Sequence, residues 1–313
     1  MKIYHNLPEH KNLFKNPVVT IGNFDGVHLG HRKIFSALLG ASSKESGDPV
    51  VITFSTHPRK ILNPEMQMRI LTTTEEKVNA IYNFGIPNII LLNFTRQMAM
   101  MSASDFYHDI LINRLDAKTI VIGYDHAFGK NREGNYNFIA ELASTTGVEI
   151  IRIAEEFIDL QPVSSTRIRR ALEIGDIRLA NRLMGHRYSL SGSVAKGMGR
   201  GRSLGFPTAN IVPTNRDKII PADGVYAVTA FTENGMGIQG MLNIGNNPTF
   251  PDTPWSIEVN LFDYEGDLYD SILTVAFHER IRNEIRFRSK EQLIAQIKRD
   301  RESALSLLET RDA

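Results

Sequence analysis

Two histidines placed three residues apart carry the most specific chemistry in the chain. His28 and His31 belong to the run Gly22-Asn23-Phe24-Asp25-Gly26-Val27-His28-Leu29-Gly30-His31. An apolar segment ends at Gly22 and a helical pattern starts near Gly30, so the run lies where a strand passes into a helix. Residues three apart share a helix face, so both imidazoles point one way. A helix N-terminus presents unpaired N–H groups and the positive end of the helix dipole, which favour anions. Glycines let a phosphate chain approach the backbone closely. Imidazoles placed there can hydrogen-bond phosphate oxygens and stabilise charge on a leaving group. A zinc pair is the other chemistry open to two histidines, but zinc needs further ligands at fixed spacing and no neighbouring residue obviously supplies them.

Three further stretches have chemical potential. Ser164-Ser165-Thr166-Arg167-Ile168-Arg169 puts hydroxyls and arginines at the start of another helical pattern. Such a group suits phosphate oxygens and transition-state charge, although taken alone it reads as an N-capped amphipathic helix with a solvated basic face. The stretch from Gly192 to Asn210 interleaves glycines with Lys196, Arg200 and Arg202. It suits wrapping a phosphate chain, although it lacks the Gly-Lys-Ser/Thr ending of a Walker loop. Taken alone, it could equally be a basic loop touching RNA. Glu258 sits in an alternating strand pattern, Ile257-Glu258-Val259-Asn260, where taken alone it reads as a surface carboxylate on the polar face.

These residues need a scaffold, and the chain predicts one of two kinds. In the first half, apolar runs at Pro17–Ile21, Val50–Phe54, Ile86–Leu92, Thr119–Gly123 and Val148–Ile153 read as strands. Helical patterns separate them, at about Gly30–Leu39, 74–84, Ser104–Leu115 and Asn135–Thr145. This alternation predicts a parallel sheet with helices on both faces. After Gly185 the helical periodicity fades. Tyr188–Val194, Val225–Thr232, Gln239–Ile244, Ser256–Asp263 and Ile272–Phe277 read as strands of an antiparallel sheet or small barrel. A helix from about Lys290 to Leu308 ends the chain, with Leu293, Ile294, Ile297, Ala304, Leu305 and Leu308 mostly on one face. The expected fold is α/β plus β, divided into residues 1–185 and 186–313.

Composition sets outer limits. The 313 residues are 42% hydrophobic and 23% charged, as in ordinary globular chains of about two domains. Lys and Arg number 36 against 35 Asp and Glu, for a net charge of +1. That balance gives no support to a general nucleic-acid or membrane binder. With no cysteine, disulfides, thiol nucleophiles and Cys-ligated metals are excluded. No signal peptide or membrane span is read, and the expected compartment is the cytoplasm.

The motifs also resemble known families. Residues 22–31 resemble the H-x-G-H region of the nucleotidyltransferase superfamily, and Ser164–Arg169 is similar to its S-S-T-x-I-R. Gly123-Tyr124-Asp125-His126-Ala127-Phe128-Gly129 resembles the G-x-D-F-x-F-G loop of bacterial FAD synthetases, with His126 at a usual phenylalanine. Phe54-Ser55-Thr56-His57-Pro58 resembles their F-x-P-H-P, with Thr56 at a usual proline. Gly205-Phe206-Pro207-Thr208-Ala209-Asn210 is the riboflavin-kinase signature, and Ile257-Glu258-Val259-Asn260 is similar to its I-E-V-H. Gly224–Ala227, Asn243–Phe250, Asp267–Tyr269 and Arg282–Phe287 fit the same resemblance. From about Val18 to Leu308 the order resembles the bacterial bifunctional riboflavin kinase/FAD synthetase family.

That resemblance implies riboflavin phosphorylation to FMN and FMN adenylylation to FAD, with ATP and magnesium. It implies an adenylylation site of Gly22, Asn23, Phe24, Asp25, His28, His31, Ser164, Ser165, Thr166 and Arg169. It implies a kinase nucleotide site of Gly192, Val194, Lys196, Gly197, Gly201, Arg202, Gly205, Pro207, Thr208 and Asn210. Magnesium falls to Thr208 and Asn210, and Glu258 is the expected base. His57, Pro58, Asp125, Phe128 and Arg282 are expected near flavin. Catalysis of adenylylation falls to His28, His31 and Arg169. Expected partners are riboflavin, FMN, FAD and ATP, with no nucleic acid or membrane and at most weak self-association.

Overall fold

The computed structural model describes residues 1–7, 12–63, 65, 67–197, 200–246, 249 and 254–309. Its backbone contacts divide the chain into two units, Met1–Ser165 and Thr166–Ala313.

The first unit is the expected parallel sheet. Its strands are β1 (Lys2–Tyr4), β2 (Val18–Ile21), β3 (Pro49–Phe54), β4 (Asn88–Leu92), β5 (Thr119–Gly123) and β6 (Glu149–Ile153). They pair in the order β1-β4-β3-β2-β5-β6, all parallel. β2 and β4 are buried throughout, because helices cover both faces. The connecting helices are α1 (Leu29–Glu45), α2 (Pro58–Leu62), α3 (Thr74–Asn83), α4 (Arg96–Met100), α5 (Ala103–Asp105) and α6 (Tyr136–Thr146). α1 runs past the expected Leu39, until Ser46 takes a left-handed conformation and its N–H closes onto Ser42 O. The 104–115 pattern begins as α5 but continues as a π-helix, Phe106–Arg114, burying Phe106, Tyr107, Ile110 and Leu111. From β2 the chain builds outward through β3 and β4, then returns to place β5 on the other side of β2. Crevices at the carboxyl ends of such neighbouring strands are where open α/β sheets bind ligands. The loops after β2 and β5 flank that position. A short hairpin, β7 (Phe157–Ile158) with β8 (Gln161–Pro162), follows β6.

The second unit comprises α7 (Ser165–Glu173, whose first residue closes the first unit), α8 (Ile177–Met184), β9 (Ser189–Ala195), α9 (Arg200–Ser203), β10 (Ala209–Pro213), β11 (Gly224–Phe231), β12 (Gly237–Gly245), β13 (Ser256–Leu261), β14 (Ile272–Arg282) and α10 (Lys290–Glu309). The strands close a barrel in the order β10-β13-β12-β11-β14-β9. Leu190, Val194, Tyr226, Leu242, Ile257, Val259 and Phe277 are among its buried side chains. The unit begins earlier than the division expected after residue 185, because α8 belongs structurally with the barrel. It buries Ile177, Ala180, Leu183 and Met184, and Asn181 Nδ2 donates to Phe277 O at 2.9 Å. Asn181 Oδ1 also accepts from Tyr188 N at 2.7 Å.

α10 covers the barrel with Ala304 and Leu308 fully buried and with Ile297 and Leu305 partly so. Asp300 lies buried on the same helix and receives three N–H bonds from the Arg282 guanidinium, at 2.7–3.0 Å. Among the described residues no helix is long and apolar enough to cross a membrane.

Candidate active sites

In the first unit the chemistry gathers at the carboxyl end of β2. Gly22 N–H extends the sheet ladder by donating to Ile52 O at 3.0 Å, and the chain then turns sharply. Phe24, Gly26 and Val27 take positive φ values of 51°, 86° and 41°. A Cβ at position 26 would also come within 2.8 Å of Leu71 Cδ1, so glycine is required by both conformation and space. The turn delivers His28 to the N-cap of α1, where its side chain caps no backbone group. α1 has no acidic residue in its first turn, so its positive end is not offset from within the helix.

His28 and His31 stack with ring centroids 3.5 Å apart and an interplanar angle of 19°. The expectation that both imidazoles share a face is met. Among the described residues, the buried Nδ1 of His31 has no hydrogen-bond partner. Burial, with the charges of His28 and Lys77 adding to it, holds the His31 imidazole well below its usual pKa. It is therefore neutral at pH 7, and its tautomer can present an N–H without carrying charge. Phe24 supports it from beneath, edge-on at 5.2 Å, and packs on Phe35 at 4.9 Å.

Asp25 braces the turn. Its buried carboxylate accepts from Leu71 N at 3.0 Å and Thr72 N at 3.0 Å, and from Thr72 Oγ1 at 3.2 Å. The carboxylate thus holds the turn, which suits its sign, since a free carboxylate would repel a phosphate. Ser165 Oγ donates to the Asp25 backbone carbonyl at 2.9 Å, so the S-S-T-x-I-R stretch reaches the H-x-G-H turn. Thr166 and Arg169 follow on α7, in the second unit.

One group here escaped sequence reasoning. Lys77, on α3, is 5% exposed and donates to Phe54 O at 2.7 Å and Asn23 O at 3.1 Å. A helical pattern over 74–84 signals the helix but not that this polar position points inward.

The expected flavin residues are dispersed in role. His57 caps α2, its Nδ1 accepting from Arg59 N at 3.1 Å, and Pro58 takes the first helical turn. Asp125 is exposed on the loop after β5, and its backbone carbonyl accepts from Arg132. Phe128 is buried against Phe106 at 4.8 Å and pairs with Gly134. His126, between them, is pushed down to a pKa of about 4 mainly by burial, against the opposing charge of Asp125. Arg282 lies in the other unit, with its guanidinium committed to Asp300 and to Asn283 O.

In the second unit the signature leads straight into β10. Asn210 lies across from Glu258 on β13 and from Ala195 on β9. Thr208 Oγ1 donates to Glu258 Oε2 at 3.2 Å, and Ser256 Oγ donates to Glu258 Oε1 at 2.9 Å. Threonine hydroxyl, asparagine amide and glutamate carboxylate are thus brought to one place by strand pairing. A Cβ at Gly197 would fall 1.9 Å from Asn210 Nδ2, so a larger residue there would displace the Asn210 side chain. Gly192 and Val194 are strand residues of β9, and Val194 is buried within the barrel. Lys196 and Arg202 are exposed on the connection to β10, which also carries Gly201, Gly205 and Pro207. Met198, Gly199, Asn247, Pro248 and Phe250 of the motif stretches lie outside the described residues.

The donor set suits magnesium, a hard cation that prefers oxygen and few protein ligands beside phosphate and water. Among the described residues there is no group of three or more His, Asp or Glu that could hold a metal ion.

Comparison with known proteins agrees along the whole chain. A family model for FAD synthetase matches residues 10–167, and one for riboflavin kinase matches residues 184–308. The Bifunctional riboflavin kinase/FMN adenylyltransferase of Buchnera aphidicola (Acyrthosiphon pisum strain) is 37% identical over 303 residues, 96% of each chain. That of Escherichia coli K12 is 35% identical, covering 95% of this chain and 93% of its own. That of Bacillus subtilis 168 is 35% identical, covering 92% and 91%. A crystal structure described as a macrolide-efflux protein from Streptococcus pneumoniae has a TM-score of 0.84 at 32% identity, covering 93% of this chain and 94% of its own. The chain therefore belongs to the bifunctional riboflavin kinase/FMN adenylyltransferase family.

Proposed function

We propose that the two activities of this family are divided between the two constellations, with adenylyl transfer in residues 1–185 and phosphoryl transfer in residues 186–313. As a member of the family, the chain converts riboflavin to FMN and FMN to FAD. The observation that carries the kinase assignment is the meeting of Thr208, Asn210 and Glu258 on paired strands.

In the kinase half, the riboflavin 5′-hydroxyl attacks the γ-phosphorus of ATP. Glu258 takes its proton, and ADP leaves with the electrons of the broken P–O bond. Ser256 and Thr208 hold the two carboxylate oxygens, which fixes the plane in which the base works. Thr208 and Asn210 would hold magnesium, whose charge, when bound, offsets that of the phosphates. Lys196 and Arg202 lie on the connection that would close over the nucleotide.

In the other half, a phosphate oxygen of FMN attacks the α-phosphorus of ATP and pyrophosphate leaves. The nucleophile is already anionic, so no strong base is needed. Catalysis rests on orientation and on stabilising charge in the transition state. The His28–His31 stack, with the His31 imidazole held neutral by burial, would donate hydrogen bonds to phosphate oxygens, and the first turn of α1 would offer backbone N–H groups. The sequence resemblance adds Ser164, Thr166 and Arg169. Gly22, Asn23, Phe24 and Asp25 shape the turn, and the loop carrying Asp125 and Phe128, after the neighbouring strand β5, would take the flavin. We place the enzyme in the cytoplasm, acting without a nucleic-acid or membrane partner and with at most weak self-association.

The direct test follows FMN and FAD over time in the full chain supplied with riboflavin and Mg-ATP. His31→Ala should stop FAD formation and spare FMN formation. Glu258→Gln should stop FMN formation and spare FAD formation when FMN is supplied. Loss of both products in either folded variant would refute the two-site division.

A further inference from the structure

A buried lysine is an expensive choice for a position that a leucine or methionine would fill. Its ammonium loses water and must be repaid by close partners. Lys77 is 5% exposed, and its partners are two backbone carbonyls at the ends of neighbouring strands. Asn23 O belongs to the turn after β2, and Phe54 O closes β3. Asn23 O also accepts from Thr53 Oγ1 at 3.2 Å. Nearby, the Asp25 carboxylate grips Leu71 N and Thr72 N, and Gly26 N donates to Thr72 Oγ1 at 3.0 Å. A capping box between Thr73 and Glu76 then starts α3, which carries Lys77. Segment 71–77 is thus stitched to the 22–27 turn along its length, and the lysine is the stitch that also takes in β3.

We propose that Lys77 is a positioning residue for adenylyl transfer: its ammonium clamps the strand-end carbonyls of Asn23 and Phe54 and so fixes the turn that carries His28 and His31. This rests on the reading that the histidine turn is the adenylylation site. Besides its two carbonyls, Lys77 faces the Asp25 carboxylate from the turn and His31 from α1, with His28 stacked behind. Glu76, on its own helix, is engaged in the capping box.

The position of the lysine gives the clamp a pH signature. Burial draws the Lys77 pKa from 10.5 down to about 8, with Asp25 opposing the shift. Below about pH 8 the clamp is charged, and above it the neutral amine holds carbonyls less strongly. Stability moves the other way. Between about pH 8 and 10.5 the unfolded chain keeps this proton while the folded chain releases it, so this group makes the fold more stable as pH rises. A clamp that serves catalysis loses activity across the window in which its own contribution to stability grows.

The test uses the full chain, FMN and Mg-ATP, with riboflavin phosphorylation measured on the same protein as internal control. In wild type, kcat for FAD formation should fall along an alkaline limb centred near pH 8, without a loss of thermal stability. Lys77→Met should lower that kcat by roughly 10–100-fold at pH 7, with KM for ATP and FMN changed far less and with the kinase rate retained. Lys77→Arg, whose charge does not titrate, should keep part of the activity and lose the limb. Wild-type kcat in Lys77→Met, or an unchanged limb in Lys77→Arg, overturns the proposal. If both variants fail to fold, the wild-type profile decides, and a flat profile through pH 8 overturns it. His31→Ala is assayed alongside: FAD synthesis surviving in that variant would sink the site reading, whereas its loss with an indifferent Lys77→Met sinks the clamp alone.

Discussion

Ser165 and Asp25, 140 positions apart in the chain, are joined by a hydrogen bond of 2.9 Å from the serine hydroxyl to the aspartate backbone carbonyl. The bond occupies the hydroxyl proton, so toward a phosphate Ser165 can offer its backbone N–H but not its O–H. Its first effect is to hold the histidine turn to Ser165, the last residue of the first unit. Ser165→Ala removes one hydrogen bond worth about 1 kcal/mol, and a matching loss in the transition state is roughly five- to tenfold. FAD formation should fall by that amount while riboflavin phosphorylation stays unchanged. A steady-state comparison of both rates in one preparation checks this.

Thr208 supplies a second, sharper case. Its hydroxyl donates to Glu258 and is proposed to hold magnesium through its oxygen. Thr208→Ser keeps that oxygen and Thr208→Ala removes it. The alanine variant should need several-fold more magnesium for half-maximal kinase rate, and its base should be less well fixed, lowering kcat by about 10-fold or more. The serine variant should recover most of both. Equal magnesium curves for the two variants would show that the hydroxyl is not a ligand.

The sequence makes strands and helices legible where apolar periodicity is strong, and misses them where tertiary pairing decides. β2 to β5 are largely apolar runs and are visible as such, whereas β6 carries the exposed Glu149 and Arg152 among its isoleucines. β1 has three residues and forms because β4 offers it a parallel edge. β10 has no clean alternation, since it begins inside the Pro-Thr-Ala-Asn signature, and is fixed by pairing with β9 and β13. The histidine pair and the Thr208, Asn210 and Glu258 group are legible because their spacing is local or their motifs are specific. Lys77 and Asp300 are not, since charged residues on a helix are read as solvent-facing until a buried partner is known. That buried partner of Asp300 is Arg282, a pairing no local spacing signals.

Asn260 shows how one departure from the riboflavin-kinase pattern is accommodated. The position is buried, on β13 two residues beyond Glu258, and its Nδ2 donates to Pro207 O at 2.7 Å. The amide therefore ties the signature loop to the strand that carries the base. Asn260→Ala removes this hydrogen bond, worth about 1 kcal/mol, and should loosen the Thr208–Glu258 geometry. Kinase kcat should drop while FAD formation from supplied FMN is unaffected. Asn260→His, which restores a ring N–H donor, should recover more kcat than alanine does.

His126 makes the acid side of the stability curve testable. Its ring is buried on the loop after β5, and among the described residues its Nε2 has no hydrogen-bond partner. Burial lowers its pKa from 6.5 to about 4, with Asp125 opposing and Arg132 reinforcing the shift. In the unfolded chain the same imidazole gains a proton near its ordinary value. The unfolded state therefore binds more protons between about pH 6.5 and 4, and the stability owed to the neutral buried ring is lost as pH falls through that window. The full shift corresponds to something on the order of 3 kcal/mol. His126→Phe places an apolar ring there and removes this term. Denaturant unfolding of the full chain at pH 7 and pH 5 should show a smaller acid loss in the variant than in wild type. His31, also held neutral by burial, leaves a residual slope in both. Parallel losses in the two proteins would mean that another group titrates in this range.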